Sequence, residues 1–231
     1  MPFTDDLTAE IDAIFQSQWT VREGRGVPEP EGVALDNDGV VIDAAVLYAD
    51  LAGSTAMVDA FPAATAAEIY KAYLLGCARA IRHWGGSITA YDGDRIMGVF
   101  IGAGKESRAV KCGLSINYIV TDIVNPAYVR QYGGSAPVKQ VVGIDKSEML
   151  VARTGVRGDN DLVWVGRAAN YAAKLTEESH TTPTWITGAV FAALDHSALY
   201  SRDNQDMWKR WLWTNMGQMA VYSSSYRWIL G

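Results

Sequence analysis

From Ala44 to Ala49 the chain runs Ala-Ala-Val-Leu-Tyr-Ala, meets a carboxylate at Asp50, and turns within three residues into Gly53-Ser54-Thr55. A short apolar run bounded by turn residues is read as a buried strand. A carboxylate leaves its end, and the Gly-Ser-Thr turn then opens a helix and points backbone N–H groups outward. The start of a helix favours phosphate oxygens. One strand of this kind has to be covered by other elements, so the rest of the chain must supply helices and further strands.

It does so in a regular alternation. Residues 62–84 read as a long helix entered through Pro62 and stopped by Gly85-Gly86. Ser87–Tyr91 and Ile96–Ile101 read as two strands flanking Asp92-Gly93-Asp94, a hairpin turn. A helix is expected over 105–124, a second strand pair over 139–145 and 149–156, and a third helix over about 166–178. Thr184–Thr187 follows as a strand, 188–194 as a short helix, and 210–228 as aromatic strand material. The order β-α-β-β-α-β-β-α-β predicts an α+β fold, with helices packed on one mixed, ferredoxin-like sheet. Ahead of it, Leu7, Ile11, Ile14, Phe15 and Trp19 make one stripe of an amphipathic helix over 5–19, followed by a Gly/Pro/charge-rich linker from Glu23 to Gly32. The division is therefore residues 1–40 as helix and linker and 41–231 as the main domain.

Composition removes several classes of function. With 20 Lys and Arg against 26 Asp and Glu in 231 residues, the net charge is −6, unsuited to sequence-independent nucleic-acid binding. It leaves a nucleotide open, because a metal reverses the local sign. No apolar run of about 18 residues calls for a membrane span, and the acidic N-terminus lacks the parts of a signal peptide. Cys77 and Cys112, the two cysteines, are expected as buried free thiols in a reducing cytoplasm. His83, His180 and His196 are too scattered for a metal site or a triad. Of the eight Trp, the group Trp208, Trp211, Trp213 and Trp228 is expected to be core or dimer interface.

Three segments carry chemistry. Asp50 alone is as readily a helix cap as a ligand, and Asp94 in Gly93-Asp94-Arg95 alone is usually turn chemistry. Together, two carboxylates at the ends of neighbouring strands suit a pair of divalent cations. In the third segment Asn170 and Lys174 stand four residues apart, with Arg167 three residues before Asn170, so all three share one side of a helix. An amide and two cations on one face suit a ribose and a polyphosphate; standing alone, they are a solvated basic face.

The blocks Asp50-Leu51-Ala52-Gly53-Ser54-Thr55, Gly86-Ser87-Ile88 through Tyr91, Gly93-Asp94, Met97 and Phe100, and Gly166-Arg167-Ala168-Ala169-Asn170-Tyr171-Ala172-Ala173-Lys174-Leu175 together resemble the catalytic domain of class III nucleotidyl cyclases, over roughly residues 42–225. The resemblance implies a homodimer with active sites at the subunit interface, and two Mn²⁺ or Mg²⁺ ions per site. It implies metal binding by Asp50, Asp94 and the Leu51 carbonyl, ribose orientation by Asn170, and transition-state stabilisation by Lys174, with Arg167 or Arg95 sharing that task. Lys174 stands where the family usually has Arg, and a lysine lacks the bidentate fork.

The family's purine readers are missing. Ala90 stands where adenylyl cyclases have a base-reading Lys, and Val163 where they have an Asp. The segment Ala90-Tyr91-Asp92-Gly93-Asp94-Arg95 resembles instead the pyrimidine cyclases of bacterial Pycsar antiphage systems. That resemblance implies a pyrimidine nucleoside triphosphate as substrate, UTP ahead of CTP. It also implies a cyclic nucleotide messenger acting on a separate effector. Tyr48, Gly53, Ser54, Thr55, Ala90, Tyr91, Arg95, Val163 and Trp164 are the expected nucleotide-binding positions. The rival readings are a purine cyclase with unusual base contacts and a catalytically silent nucleotide-sensing dimer.

Overall fold

The computed structural model describes residues 3–135, 138–156, 158–178 and 181–230; His180 lies outside them. The chain forms two compact units, Met1–Asp43 with Glu148–Gly166, and Ala44–Ser147 with Arg167–Gly231.

The first unit begins with helix α1 (Phe3–Gln16), no residue of which is buried. Its end is tied by the Asn37 side-chain amide, which donates to Ile14 O and Ser17 O at 2.8 Å each. The segment after it holds a strand that the sequence did not suggest. Strand β1 (Thr20–Glu23) pairs in parallel with the start of β2 (Asp38–Ala52), and Arg22 forms an ion pair with Asp38. The Gly/Pro signals from Gly24 onward set the end of β1 and were read as the linker itself. This unit also holds the hairpin between the second half of β5 (Lys139–Val156) and β6 (Asp159–Val165).

The second unit holds the predicted alternation. After β2 come α2 (Ser54–Ala60), α3 (Ala63–His83), β3 (Ser87–Asp92), β4 (Arg95–Ile101), α4 (Lys105–Tyr118), a π-helical stretch at Ile119–Val124 and α5 (Asn125–Tyr132). Beyond β5 follow α6 (Arg167–Leu175), β7 (Thr184–Thr187), α7 (Gly188–Phe191), α8 (His196–Leu199), β8 (Lys209–Trp213) and β9 (Met219–Ser224). The strand order is β3-β4-β2-β5-β7-β9-β8; β3–β4, β4–β2, β7–β9 and β9–β8 pair antiparallel and β5–β7 in parallel.

Alternation along β2 sorts the layers. Ala45, Leu47, Ala49 and Leu51 point into a core with Ile69, Tyr73, Cys77, Ala80 and Ile81 of α3 and Ala109, Cys112, Leu114 and Ile116 of α4. Burying one such aliphatic side chain contributes about 1.5–3 kcal/mol. The other face carries a smaller core of Val141, Leu175, Trp185, Trp213 and Val221, against which Ala52 and Tyr171 pack. Helix α6 rests directly on β5 there. A Cβ on Gly143 would lie 2.1 Å from the Ala172 carbonyl oxygen and 2.7 Å from Leu175 Cβ, so only glycine admits the helix at that height.

The expected strand pair over 139–145 and 149–156 is one continuous strand, β5. The polar residues Asp145, Lys146 and Ser147 looked like a turn because they interrupt an apolar run. Each instead has a partner: Asp145 with Arg167 and Thr187, Lys146 with Glu106, and Ser147 with the Ala168 N–H. Cys77 and Cys112 are free and buried, and burial pushes the Cys77 thiol up to about 12. The Trp group divides. Trp213 is core, Trp208 packs against the larger core, Trp228 stands edge-on to Trp84, and Trp211 is 40% exposed.

Candidate active site

The strand expected to end at Asp50 runs on to Ala52, so Asp50 lies two residues before the end of β2, on the face opposite α3 and α4 and directly across from Arg95, the first residue of β4. Arg95 Nη2 donates to Asp50 Oδ2 at 3.0 Å, with both side chains largely screened from solvent. Between β3 and β4, Gly93 takes φ 60° and Asp94 follows at the tip. Three carboxylates act on the Arg95 guanidinium. Burial alone lowers its pKa, but the hydrogen bond and charge of Asp50, reinforced by Asp92 and Asp94, outweigh burial and raise it. Beneath, the fully buried Tyr73 hydroxyl is pushed well up, first by burial, then by the Cys77 thiol beside it and the charges of Asp50 and Asp94. Of the two aspartates predicted as metal ligands, Asp50 is bonded to Arg95, while Asp94 acts on the same guanidinium through its charge alone.

The neighbouring positions fall in step. Tyr48 shares the Asp50 face of β2 and is half-buried; burial raises its pKa, Arg95 opposing and Asp92 adding. Leu51 is buried on the core side. Gly53 adopts φ 76°, ψ 26° and starts α2 with Ser54 and Thr55, its carbonyl accepting the Met57 N–H at 3.1 Å. A left-handed residue at that corner suits glycine. Ala90 is half-buried and Tyr91 57% exposed on β3.

The α6 residues divide in two. Asn170 and Lys174 are exposed; among the described residues Lys174 Nζ reaches only Met216 Sδ, at 3.7 Å. Arg167 faces elsewhere, held by Asp145 and the Lys146 carbonyl, with its guanidinium over the Tyr171 ring. Val163 and Trp164 belong to the first unit, on β6, where they pair with Ala152 and Val151. Two clefts of the second unit, about 270 Å³ lined by Ile69, Val124 and Tyr128 and about 520 Å³ lined by Tyr200, Arg202 and Trp228, include none of Asp50, Asp94, Asn170 or Lys174.

Asp145 was missed. The run Val141-Val142-Gly143-Ile144-Asp145 has the same pattern as the one ending in Asp50, and that likeness was the available signal.

Fold comparison defines the class. The chain superposes on a bacterial light-regulated adenylyl cyclase (TM-score 0.68, 15% identity, covering 83% of this chain and 54% of that one). It superposes also on an adenylyl cyclase of P. aeruginosa (0.65, 18%, 80% and 95%) and a guanylyl cyclase (0.67, 19%, 82% and 94%). These share the class III cyclase fold. No family model matches the chain. Proteins named uridylate cyclase are similar to it over nearly the whole length: 45% identity in Xanthomonas perforans and 44% in Burkholderia cepacia, each over 99% of both chains, and 36% in Rhodovulum sp. over 98% of this chain and 97% of the relative. The chain belongs to this uridylate cyclase family of class III nucleotide cyclases.

Proposed function

We propose that the protein converts UTP to 3′,5′-cyclic UMP and pyrophosphate, with residues 41–231 as the cyclase domain and 1–40 as an accessory helix and linker. The observation that carries the reading is the half-buried Asp50–Arg95 ion pair, with the Asp94 hairpin tip adjoining Arg95 in the chain, in a protein of this family. In the reaction the ribose 3′-oxygen bonds to the α-phosphorus, the bond from that phosphorus to the bridging oxygen breaks, pyrophosphate leaves, and the hydroxyl proton passes to solvent.

The residues present fit a divalent pair: hard carboxylate oxygens at a place where a guanidinium is already held, with the Leu51 carbonyl next along the chain. Asp50, Asp94 and the Leu51 carbonyl would hold Mn²⁺ or Mg²⁺, which would supply a lowered 3′-hydroxyl pKa and neutralise triphosphate charge. Arg95, bonded to Asp50, would give up that bond to a metal and offer its charge to the phosphates. The Gly53-Ser54-Thr55 turn offers backbone N–H groups to the same phosphates, and Tyr48, Ala90 and Tyr91 border the base. Asn170 orients the ribose, and Lys174 meets the charge that grows on the α-phosphoryl oxygens. Exposed and weakly engaged in their own chain, these two serve the aspartates of a second copy in a homodimer. Arg167 supports them from behind. By resemblance to Pycsar cyclases, the product is a messenger for antiphage defence, read by a separate effector.

The test is to incubate purified protein with each of the four nucleoside triphosphates and Mn²⁺ and identify products by mass spectrometry. Cyclic UMP as the main product is expected. Mainly cyclic CMP would keep the enzyme and reverse the base preference. Cyclic AMP or GMP would sink the pyrimidine reading, and no product from any triphosphate would make the protein a nucleotide sensor.

A further inference from the structure

Asp145 takes no part in the chemistry above, yet it has no exposed surface and is surrounded by donors. Arg167 Nε donates to Oδ2 at 3.0 Å, Arg167 Nη2 approaches Oδ1 at 3.4 Å, and the Thr187 hydroxyl donates to Oδ1. The same Nη2 donates to the Lys146 carbonyl at 2.8 Å, and Ser147 Oγ accepts the Ala168 N–H at 2.9 Å. Three consecutive residues of β5 thus hold the first two residues of α6. Two residues upstream, Gly143 lets the Ala172 and Leu175 end of the helix lie on the strand. Asn170 and Lys174 project from the exposed side of this clamped helix, with no comparable restraint of their own.

A buried carboxylate without its partner is strongly unfavourable, so this ion pair admits one arrangement of the helix start. Apolar packing alone, as at Leu175, would hold the helix down without fixing its rotation or its position along the axis. Arg167 in turn is turned toward β5, its Nε and Nη2 on Asp145 and Lys146.

Resting on the cyclase reading, we infer that Asp145 is a positioning residue: held by Thr187 of β7 and acting through Arg167, it sets the place of α6 and so aims Asn170 and Lys174 at the substrate. Arg167 then works through Asp145 and not by touching the triphosphate.

The test uses the full chain with UTP and Mn²⁺ and compares Asp145→Asn, Arg167→Gln and the double variant. Misplacing a catalytic group by about 1 Å costs up to about a hundredfold. Asp145→Asn is therefore expected to lower kcat by about ten- to a hundredfold with KM within about threefold. Arg167→Gln should behave alike, and the double variant should be no slower than the slower single, since both act through one link. An unchanged kcat in Asp145→Asn overturns the inference. So does a double variant whose loss is the product of the two single losses, which would put Arg167 on the substrate. Should Asp145→Asn not melt cooperatively, Thr187→Val trims the tie that holds Asp145 to β7. It is expected to lower kcat a few-fold at constant KM, roughly as one hydrogen bond predicts, and no loss overturns the inference. Wild-type protein inactive with every triphosphate would instead refute the cyclase reading itself.

Discussion

The two groups of candidate catalytic residues are prepared in opposite ways. Asp50 and Asp94 sit near strand ends in a half-buried setting, Asp50 paired with the Arg95 guanidinium and Asp94 acting on it by charge. Asn170 and Lys174 stand exposed on α6, where Lys174 reaches a methionine sulfur, Met216 Sδ. One group is organised around a cation before any substrate arrives. The other is a rigidly mounted but open face, which is what a residue must be to serve a site on another copy. Charge explains the contrast: a half-buried carboxylate such as Asp50 needs a counter-charge at once, whereas an amide and an ammonium are content in water.

The sharpest way to break this comparison is Asp50→Ala. If Asp50 holds metal, turnover falls by about a thousandfold or more, the scale of several kcal/mol of charge stabilisation. Stability changes by only about 1 kcal/mol, the scale of a partly exposed ion pair. A product assay with a thermal melt checks both, and retained turnover would refute the metal assignment. Lys174→Ala comes next, with kcat reduced about a hundredfold, as for one charge-stabilising donor. Lys174→Arg restores the fork usual in the family and should hold kcat within about tenfold of wild type. A mixed dimer adds a sharper form. Asp50→Ala and Lys174→Ala chains, each nearly inactive alone, regain activity when mixed if the two groups meet across an interface.

A smaller effect is expected at Arg95. If its guanidinium competes with metal for Asp50, then Arg95→Gln binds Mn²⁺ more tightly in the absence of nucleotide. The gain is about two- to fivefold, the worth of one modest ion pair. Electron paramagnetic resonance of free Mn²⁺ measures it without any turnover, and weaker binding in the variant shows that Arg95 supports the metal instead of standing in for it.

Much of this was legible in the residues. The strand bearing Asp50, the Asp-Gly-Asp hairpin and the helix bearing Asn170 and Lys174 announce themselves by apolar runs, glycine turns and spacing. What could not be read was polar pairing at a distance. Asp145, Lys146 and Ser147 look like a turn until their partners are known, and those lie 20 or more residues away at Arg167, Thr187, Glu106 and Ala168. Strand β1 was hidden for a related reason, since a four-residue strand without buried side chains has no hydrophobic period. Arg167 was rightly placed on α6, but spacing along a helix does not reveal that its guanidinium turns back toward β5.

The smallest predicted effect tests the electrostatics away from the site. Asp195 caps α8, accepting from the Ala198 N–H at 2.9 Å, from Ser197 Oγ at 2.7 Å and from Lys111 Nζ at 3.1 Å. Burial opposes its ionisation, but the bonds from Ser197, Lys111, Ala198 and Ser107 prevail and hold its pKa down from 3.8 to about 2. A carboxylate with a depressed folded-state pKa contributes stability that is fully present above its unfolded value and lost as pH falls through its folded value. The contribution should therefore be constant above about pH 5 and disappear between pH 3.8 and about 2. The side chain is 51% exposed, so solvent screening limits the amount to about 1 kcal/mol or less. That corresponds to a melting-temperature difference of about 2–4 °C between wild type and Asp195→Asn at pH 7. Other carboxylates titrate in the same range, so the quantity to follow is the wild-type-minus-variant difference. If it persists undiminished at pH 2, Asp195 acts through its hydrogen-bonding shape alone, and its charge contributes nothing to holding α8 and α4 together.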